Sequence, residues 1–367
     1  MLRKENKGIT LVALVITIII LLILAGITIS SLTNTGLFAK AKEARDKTQN
    51  AAENQAKTLN EYEDELNKYI SGTTGEKAEK LADKVKVGDY VSYIPDTVSN
   101  TDTKYTTLIS NLETYSGSTA NTTSTLTQEN LKWRVLDIQN GQVRLISETP
   151  TTSKIELYGY NGYNNAVKLL DDTCSTLYNN SKLASKVQNL KIEDITKYMP
   201  TQPTEDTTPY SPTNKYYPEI LLKEKGQTVN GTAGRELDVS EQTEYINQTT
   251  KPQVSSWTLK KTYWSQTMNN TDSFTDSKYY KLFINNVSNY STYWMSSRCI
   301  DAYSDLAGFN VHIVGNGNIN TEPNSLCNSL GSERSCAYAF RPVITLNSNV
   351  QAISGDGTTA ERAYVIK

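Results

Sequence analysis

The sequence predicts an α+β protein, with one long N-terminal hydrophobic helix followed by a β-rich globular domain. Three observations carry this. Residues 9–29 run for 21 positions without a charge. Two alternating segments, 131–139 and 142–148, flank Asn140-Gly141, a pair whose tolerance of positive φ makes it a strong hairpin signal. From Gly162 to Tyr178, Val167, Leu170, Cys174 and Leu177 recur at spacings of three and four, the period of an amphipathic helix.

The N-terminal run follows a short basic leader carrying Arg3, Lys4 and Lys7 and ending in Gly8. At 1.5 Å per residue a helix from Ile9 to Ile29 spans roughly 30 Å, the hydrocarbon thickness of a bilayer. Leu11, Ala13, Leu14, Ile19, Leu22 and Gly26 belong to it. The basic leader places the N-terminus in the cytoplasm and the rest of the chain outside, a single-pass cell-membrane arrangement. The run is too long for a cleavable signal peptide, and Ile27 stands where a lipoprotein needs cysteine after Leu24-Ala25-Gly26.

Helical patterning continues to about residue 70. Glu43/Lys47 and Glu53/Lys57 form i,i+4 pairs, and Leu59, Tyr62, Leu66 and Tyr69 form a stripe suited to packing on the domain. Residues 71–84 read as a linker and 85–353 as the extracellular domain. Within it, 87–93 alternates as a strand, and 100–127, rich in Ser, Thr and Asn, reads as a long exposed loop. A loop-rich insertion is expected near 199–256, then strands at 293–299, 308–314 and 338–346, and a C-terminal tail over 354–367. No internal repeat is visible.

Charge is balanced, 37 basic against 39 acidic residues, so nothing predicts capture of nucleic acid. Four cysteines, Cys174, Cys299, Cys327 and Cys336, fall on the outward side, where an even number favours disulfides. Of the three pairings, the expected one closes the short loop Cys327–Cys336 and leaves Cys174 with Cys299. No C-x-x-C pair supports a zinc site, and neither metal nor cofactor is expected. The single histidine, His312, lies in an alternating strand without a nucleophile beside it, so it reads as structural and the chain as a non-enzyme. Arg341, before Pro342, reads as a conformational residue that pairs with a core carboxylate or carbonyl.

Basic leader, glycine, then Ile9-Thr10-Leu11 opening the apolar run resembles the N-terminal segment of type IV pilins and pseudopilins. The resemblance implies cleavage by prepilin peptidase after Gly8, methylation of the new terminus at Ile9, and other pilin-like subunits and the membrane as partners. That family carries glutamate at the fifth mature position, where this chain has Ala13. A carboxylate in lipid costs on the order of 3 kcal/mol and persists where an assembly contact repays it. Alanine there resembles subunits at a filament tip.

The blocks W-R-V-L-D at Trp133, G-Y-N-N-A-V-K-L-L at Gly162, Y-W-M-S-S-R-C at Tyr293 and A-F-R-P-V-I-T-L at Ala339 resemble a surface domain of unknown function common in Firmicutes, itself similar to C-type lectins. This implies adhesion to glycans or proteins through loops between Ser297 and Cys336. Glu322-Pro323-Asn324 lies there and matches a calcium-lectin triplet. The W-N-D partner motif is missing, so a plain turn is the simpler reading of Glu322 and Asn324.

Overall fold

The computed structural model describes Lys47, Ala51, Gln55 and Thr58 and residues 79–367, apart from 201–214, 263, 265, 269–270, 285–291, 303–305, 316 and 322–324. The expected membrane helix, the leader and the stripe from Leu59 to Tyr69 lie outside the described residues. Among the described residues no helix is long and apolar enough to cross a membrane.

In chain order the elements are β1 (Glu79–Lys80), α1 (Leu81–Lys84), β2 (Tyr90–Ser92), α2 (Thr103–Tyr115), β3 (Trp133–Gln139), β4 (Gln142–Ser147), β5 (Lys154–Tyr158), α3 (Gly159–Tyr178), β6 (Ala184–Asn189) and α4 (Ile192–Thr196). Then come β7 (Thr228–Val229), β8 (Thr232–Ala233), β9 (Trp257–Thr258), β10 (Gln266–Thr267), α5 (Ser277–Phe283), β11 (Tyr293–Ala302), β12 (Ala307–Gly315) and β13 (Asn318–Thr321). The chain closes with β14 (Cys327–Asn328), β15 (Ser335–Ala339), β16 (Pro342–Leu346), β17 (Gln351–Ser354) and β18 (Tyr364–Ile366). The architecture is β-rich α+β. An eight-stranded sheet runs β1-β17-β18-β2-β3-β4-β16-β6, a seven-stranded sheet follows β10-β13-β12-β11-β15-β5 with β14 on β12, and β8-β7-β9 form a small third sheet.

The hairpin between β3 and β4 has the expected turn. Asn140 and Gly141 take φ of 51° and 76°, both left-handed, so Gln139 faces Gln142 across two residues. Helix α3 forms where its period places it, and Val167, Leu170, Cys174 and Leu177 are all buried. Gly162 faces inward because a Cβ there would meet the Ser116 carbonyl and the Leu157 backbone at 3.0 Å. The core around α3 gathers Trp133, Val135, Val143 and Leu145 from the first sheet and Trp294, Ile300, Phe309 and Val311 from the second. Alternate strand residues serve another core: Ile146 and Val343 join Tyr293, Met295 and Val314 beneath α5. Strand period two thus supplies both cores from the same strands.

Four stretches differ from the sequence reading. Residues 100–127 contain helix α2, with Tyr105, Leu108, Ile109 and Leu112 buried at i, i+3, i+4 and i+7. Thr and Ser lower intrinsic helicity, but packing of one apolar face decides a helix of this length. The expected strand 338–346 breaks at Phe340-Arg341: β15 pairs with β5 and β11, β16 with β4 and β6, so the chain changes sheets. The expected tail contains β18, parallel to β2. The end of the expected linker contains β1, which pairs with β17.

At the change of sheets sits Arg341, fully buried. Its guanidinium donates to the carbonyls of Ser147 (3.1 and 2.9 Å) and Glu148 (3.0 Å) beyond β4, and to those of Phe283 (3.1 Å) and Leu282 (2.5 Å). It also reaches the Tyr293 hydroxyl at 3.3 Å. The last two carbonyls of α5 have no partner further along their own helix, and an arginine is a suitable cap.

Leu112→Ala should lower the unfolding free energy by about 2–4 kcal/mol in urea denaturation, the cost of a buried leucine cavity. A surface loop residue would change it by less than about 0.5 kcal/mol.

Candidate functional site

On the face of the first sheet that carries Ile146 and Val343, beyond the second core, lies a polar cleft. Arg144 on β4, Thr345 on β16 and Lys186 on β6 lie in one row, since Thr345 is registered with both neighbours. The β3–β4 turn adds Gln139, Asn140 and Gln142, and α4 with the residue after it adds Glu193, Asp194 and Lys197 as a wall. The cleft encloses about 410 Å³, within the range of small-molecule sites, roughly 300–1,000 Å³.

Its floor is ion-paired. Arg144 donates to Asp137 Oδ2 at 3.3 Å and to Asp194 Oδ1. Asp137 Oδ2 also accepts from Lys197 Nζ (2.6 Å), the Tyr198 hydroxyl (2.5 Å) and Gln139 Nε2 (3.2 Å). Burial acts to lower the Arg144 pKa, but the Asp194 and Asp137 carboxylates outweigh it and hold the guanidinium above its ordinary value. Burial and the Asp137 carboxylate push the Tyr198 phenol up, so it remains a donor. Tyr198 is fixed from behind by stacking on Tyr279, ring centroids 3.6 Å apart. Gln142 donates to Ser185 Oγ and to the Leu346 carbonyl, both at 3.1 Å, which turns its amide in place.

Two other hollows are weaker candidates. One of about 180 Å³ beside Tyr158, Tyr160 and Lys251 is below the usual size for a ligand site. Another of about 320 Å³ is lined by Asn121 and Glu156, which bond to one another and to Ser116, Ser118 and Ser335.

The sequence-predicted residues do not converge on any of these. Gly8, Ile9, Leu11, Ala13, Leu14, Ile19, Leu22, Gly26, Glu322 and Asn324 lie outside the described residues. The expected recognition loops between Ser297 and Cys336 are largely strand, and β12 is buried over nearly its whole length, so it presents no ligand surface. No disulfide joins the four cysteines, contrary to expectation. Cys174 lies on α3, Cys299 on β11, Cys327 on β14 and Cys336 on β15, each held by its own element, and three are fully enclosed. Burial raises the pKa of Cys174, Cys299 and Cys327, aided by Asp171, by Asp301 and Glu224, and by Glu333 respectively, so these thiols stay protonated.

His312 is buried in β12, where its ring nitrogens make no well-formed hydrogen bond and only weaker contacts to the backbones of Ser297 and Trp264. Burial lowers its pKa to about 4, and the backbones of Ser297 and Trp264 offset only part of that cost. Among the described residues no cluster of His, Cys, Asp and Glu has metal-binding geometry. The second fully buried arginine, Arg298, holds the irregular segment after residue 214: it bonds Glu224 Oε1 at 2.5 Å and Gln242 Oε1 and the Glu241 carbonyl at 3.1 Å.

Sequence reasoning missed the cleft because its residues are dispersed from 137 to 345. The available signal was polar residues, Arg144 and Thr345, inside otherwise apolar strands. The chain matches no family model, and no curated protein or solved structure is significantly similar to it.

Two outcomes check this account. In urea without reductant four thiols should alkylate, whereas the native chain should take up at most one alkyl group by mass spectrometry; a disulfide would remove two from the unfolded total. The unfolded state protonates an ordinary imidazole near pH 6.5, while folded His312 stays neutral to about pH 4. Between these values the unfolded state holds more protons, so stability falls as pH falls, by about 3 kcal/mol over the window. His312→Gln should remove that share of the slope in denaturant midpoints from pH 7 to 4.

Proposed function

We propose that the chain is a pilin-like cell-surface protein, a minor pilin or pseudopilin, processed by prepilin peptidase after Gly8 and displaying an adhesion or binding domain. The observation that carries this is the leader: basic residues, Gly8, then Ile9-Thr10-Leu11 at the head of 21 uncharged residues. Such a segment is stored in lipid and then passed to neighbouring subunits by exchanging one apolar surface for another. The domain is read as C-type-lectin-like from its order of helix, central Trp strand, loop region and terminal strand. A balanced polar cleft on one sheet face supports binding over catalysis, because Arg144, Lys197, Asp137 and Asp194 are paired with one another.

Ala13 favours a second reading, a membrane-anchored extracellular binding protein that never enters a filament. Without a carboxylate at that position the helix lacks a pairing group for a neighbour's terminal amine.

Mass spectrometry of the mature N-terminus separates the two. The pilin-like reading predicts N-methylated Ile9 as the first residue in a strain with the peptidase. An intact Met1 under those conditions contradicts it and leaves the anchored reading.

A further inference from the structure

We infer that the cleft above β4, β16 and β6 binds a neutral, polyhydroxylated ligand, an oligosaccharide without acidic groups. This rests on the proposed surface-binding role and adds the place and the ligand class. Three cations, Arg144, Lys186 and Lys197, balance three carboxylates, Asp137, Glu193 and Asp194, in and beneath the cleft, and ion pairs join Arg144 and Lys197 to Asp137 and Arg144 to Asp194. A ligand of either net sign finds no surplus of opposite charge. Arg144 and Lys197 are already engaged by Asp137 and Asp194, so a phosphate or carboxylate would have to displace carboxylates to reach them.

What the cleft offers is a dense set of oriented neutral groups. Four amide side chains, from Gln139, Asn140, Gln142 and Gln188, together with the Thr345 hydroxyl, line it. Amides donate and accept in fixed directions, and a sugar hydroxyl does both, so the two match group for group. Gln142 illustrates this. Its NH₂ is held by Ser185 and Leu346, leaving the amide oxygen to accept from a ligand hydroxyl. The ion pairs underneath fix Arg144 and Asp194 before any ligand arrives, so little ordering remains for binding to supply. An apolar ligand is disfavoured by the same lining, because it would strip water from these groups and return no hydrogen bonds.

The test uses the full-length chain in detergent micelles on an array of neutral oligosaccharides together with their sulfated and uronic-acid counterparts, followed by calorimetry on the best binder. The variants are Asn140→Gly/Gln142→Ala, which keeps a left-handed residue at the turn, and Lys186→Ala. The expected result is binding of neutral glycans, weakened about tenfold by the double change and altered less than twofold by Lys186→Ala. A preference for acidic glycans lost with Lys186 overturns the ligand class. Binding indifferent to the double change overturns the location, and no binding across the panel overturns both. None of these outcomes bears on whether Ile9 is the mature terminus, so failure here is distinct from failure of the pilin-like reading.

Discussion

The Arg341 guanidinium lies where the chain leaves one sheet for the other, and the surrounding structure is arranged to keep that charge coordinated by protein oxygen. Taking a guanidinium out of water costs several kcal/mol. Here it is offset by donors directed at the carbonyls of Ser147, Glu148, Leu282 and Phe283 and at the Tyr293 hydroxyl. Those atoms belong to the end of β4, the end of α5 and the start of β11. One side chain therefore ties both sheets and the helix over the second core, using a rigid fork that lysine does not possess. The backbone around it is equally engaged: Arg341 N donates to Asn189 Oδ1 at 2.7 Å, and Leu190 N donates to the Arg341 carbonyl at 3.0 Å.

Arg298 performs a similar task for the segment beyond residue 214, which has little regular structure of its own. Through Glu224, Gln242 and main-chain carbonyls it gives these turns a fixed attachment to β11. Two buried cations thus stand where apolar burial alone offers little directional information. The sheets supply area, and the arginines supply register. With the first sheet held in this way, its polar row of Arg144, Thr345 and Lys186 keeps a constant spacing, which a preorganised cleft needs.

How much of this was legible in the sequence depends on the range of the determining interaction. The Asn140-Gly141 turn and helix α3 were readable because their signals are local: positive φ at two adjacent residues, and a period of 3.6. Helix α2 was overlooked because its threonines and serines dominate composition while its four buried residues carry the period. The break at Phe340-Arg341 had a local sign, a proline after an arginine, and Arg341 was read as conformational, yet the change of sheets depends on partners some 50 to 190 residues away. The cysteines misled because an outward location favours disulfides only when the fold brings sulfurs together. The cleft was illegible for the same reason, being assembled from strands adjacent in space and distant in sequence.

Native-state hydrogen exchange on the full chain and on Arg341→Leu is the measurement closest to the central claim. The account predicts that in the wild-type chain the amides of β4 and β11 exchange through one shared opening. In the variant, with several buried carbonyls left without donors, both strands should lose protection, by about 3 kcal/mol or more. Unchanged protection in β4 and β11 after removal of the guanidinium would contradict it.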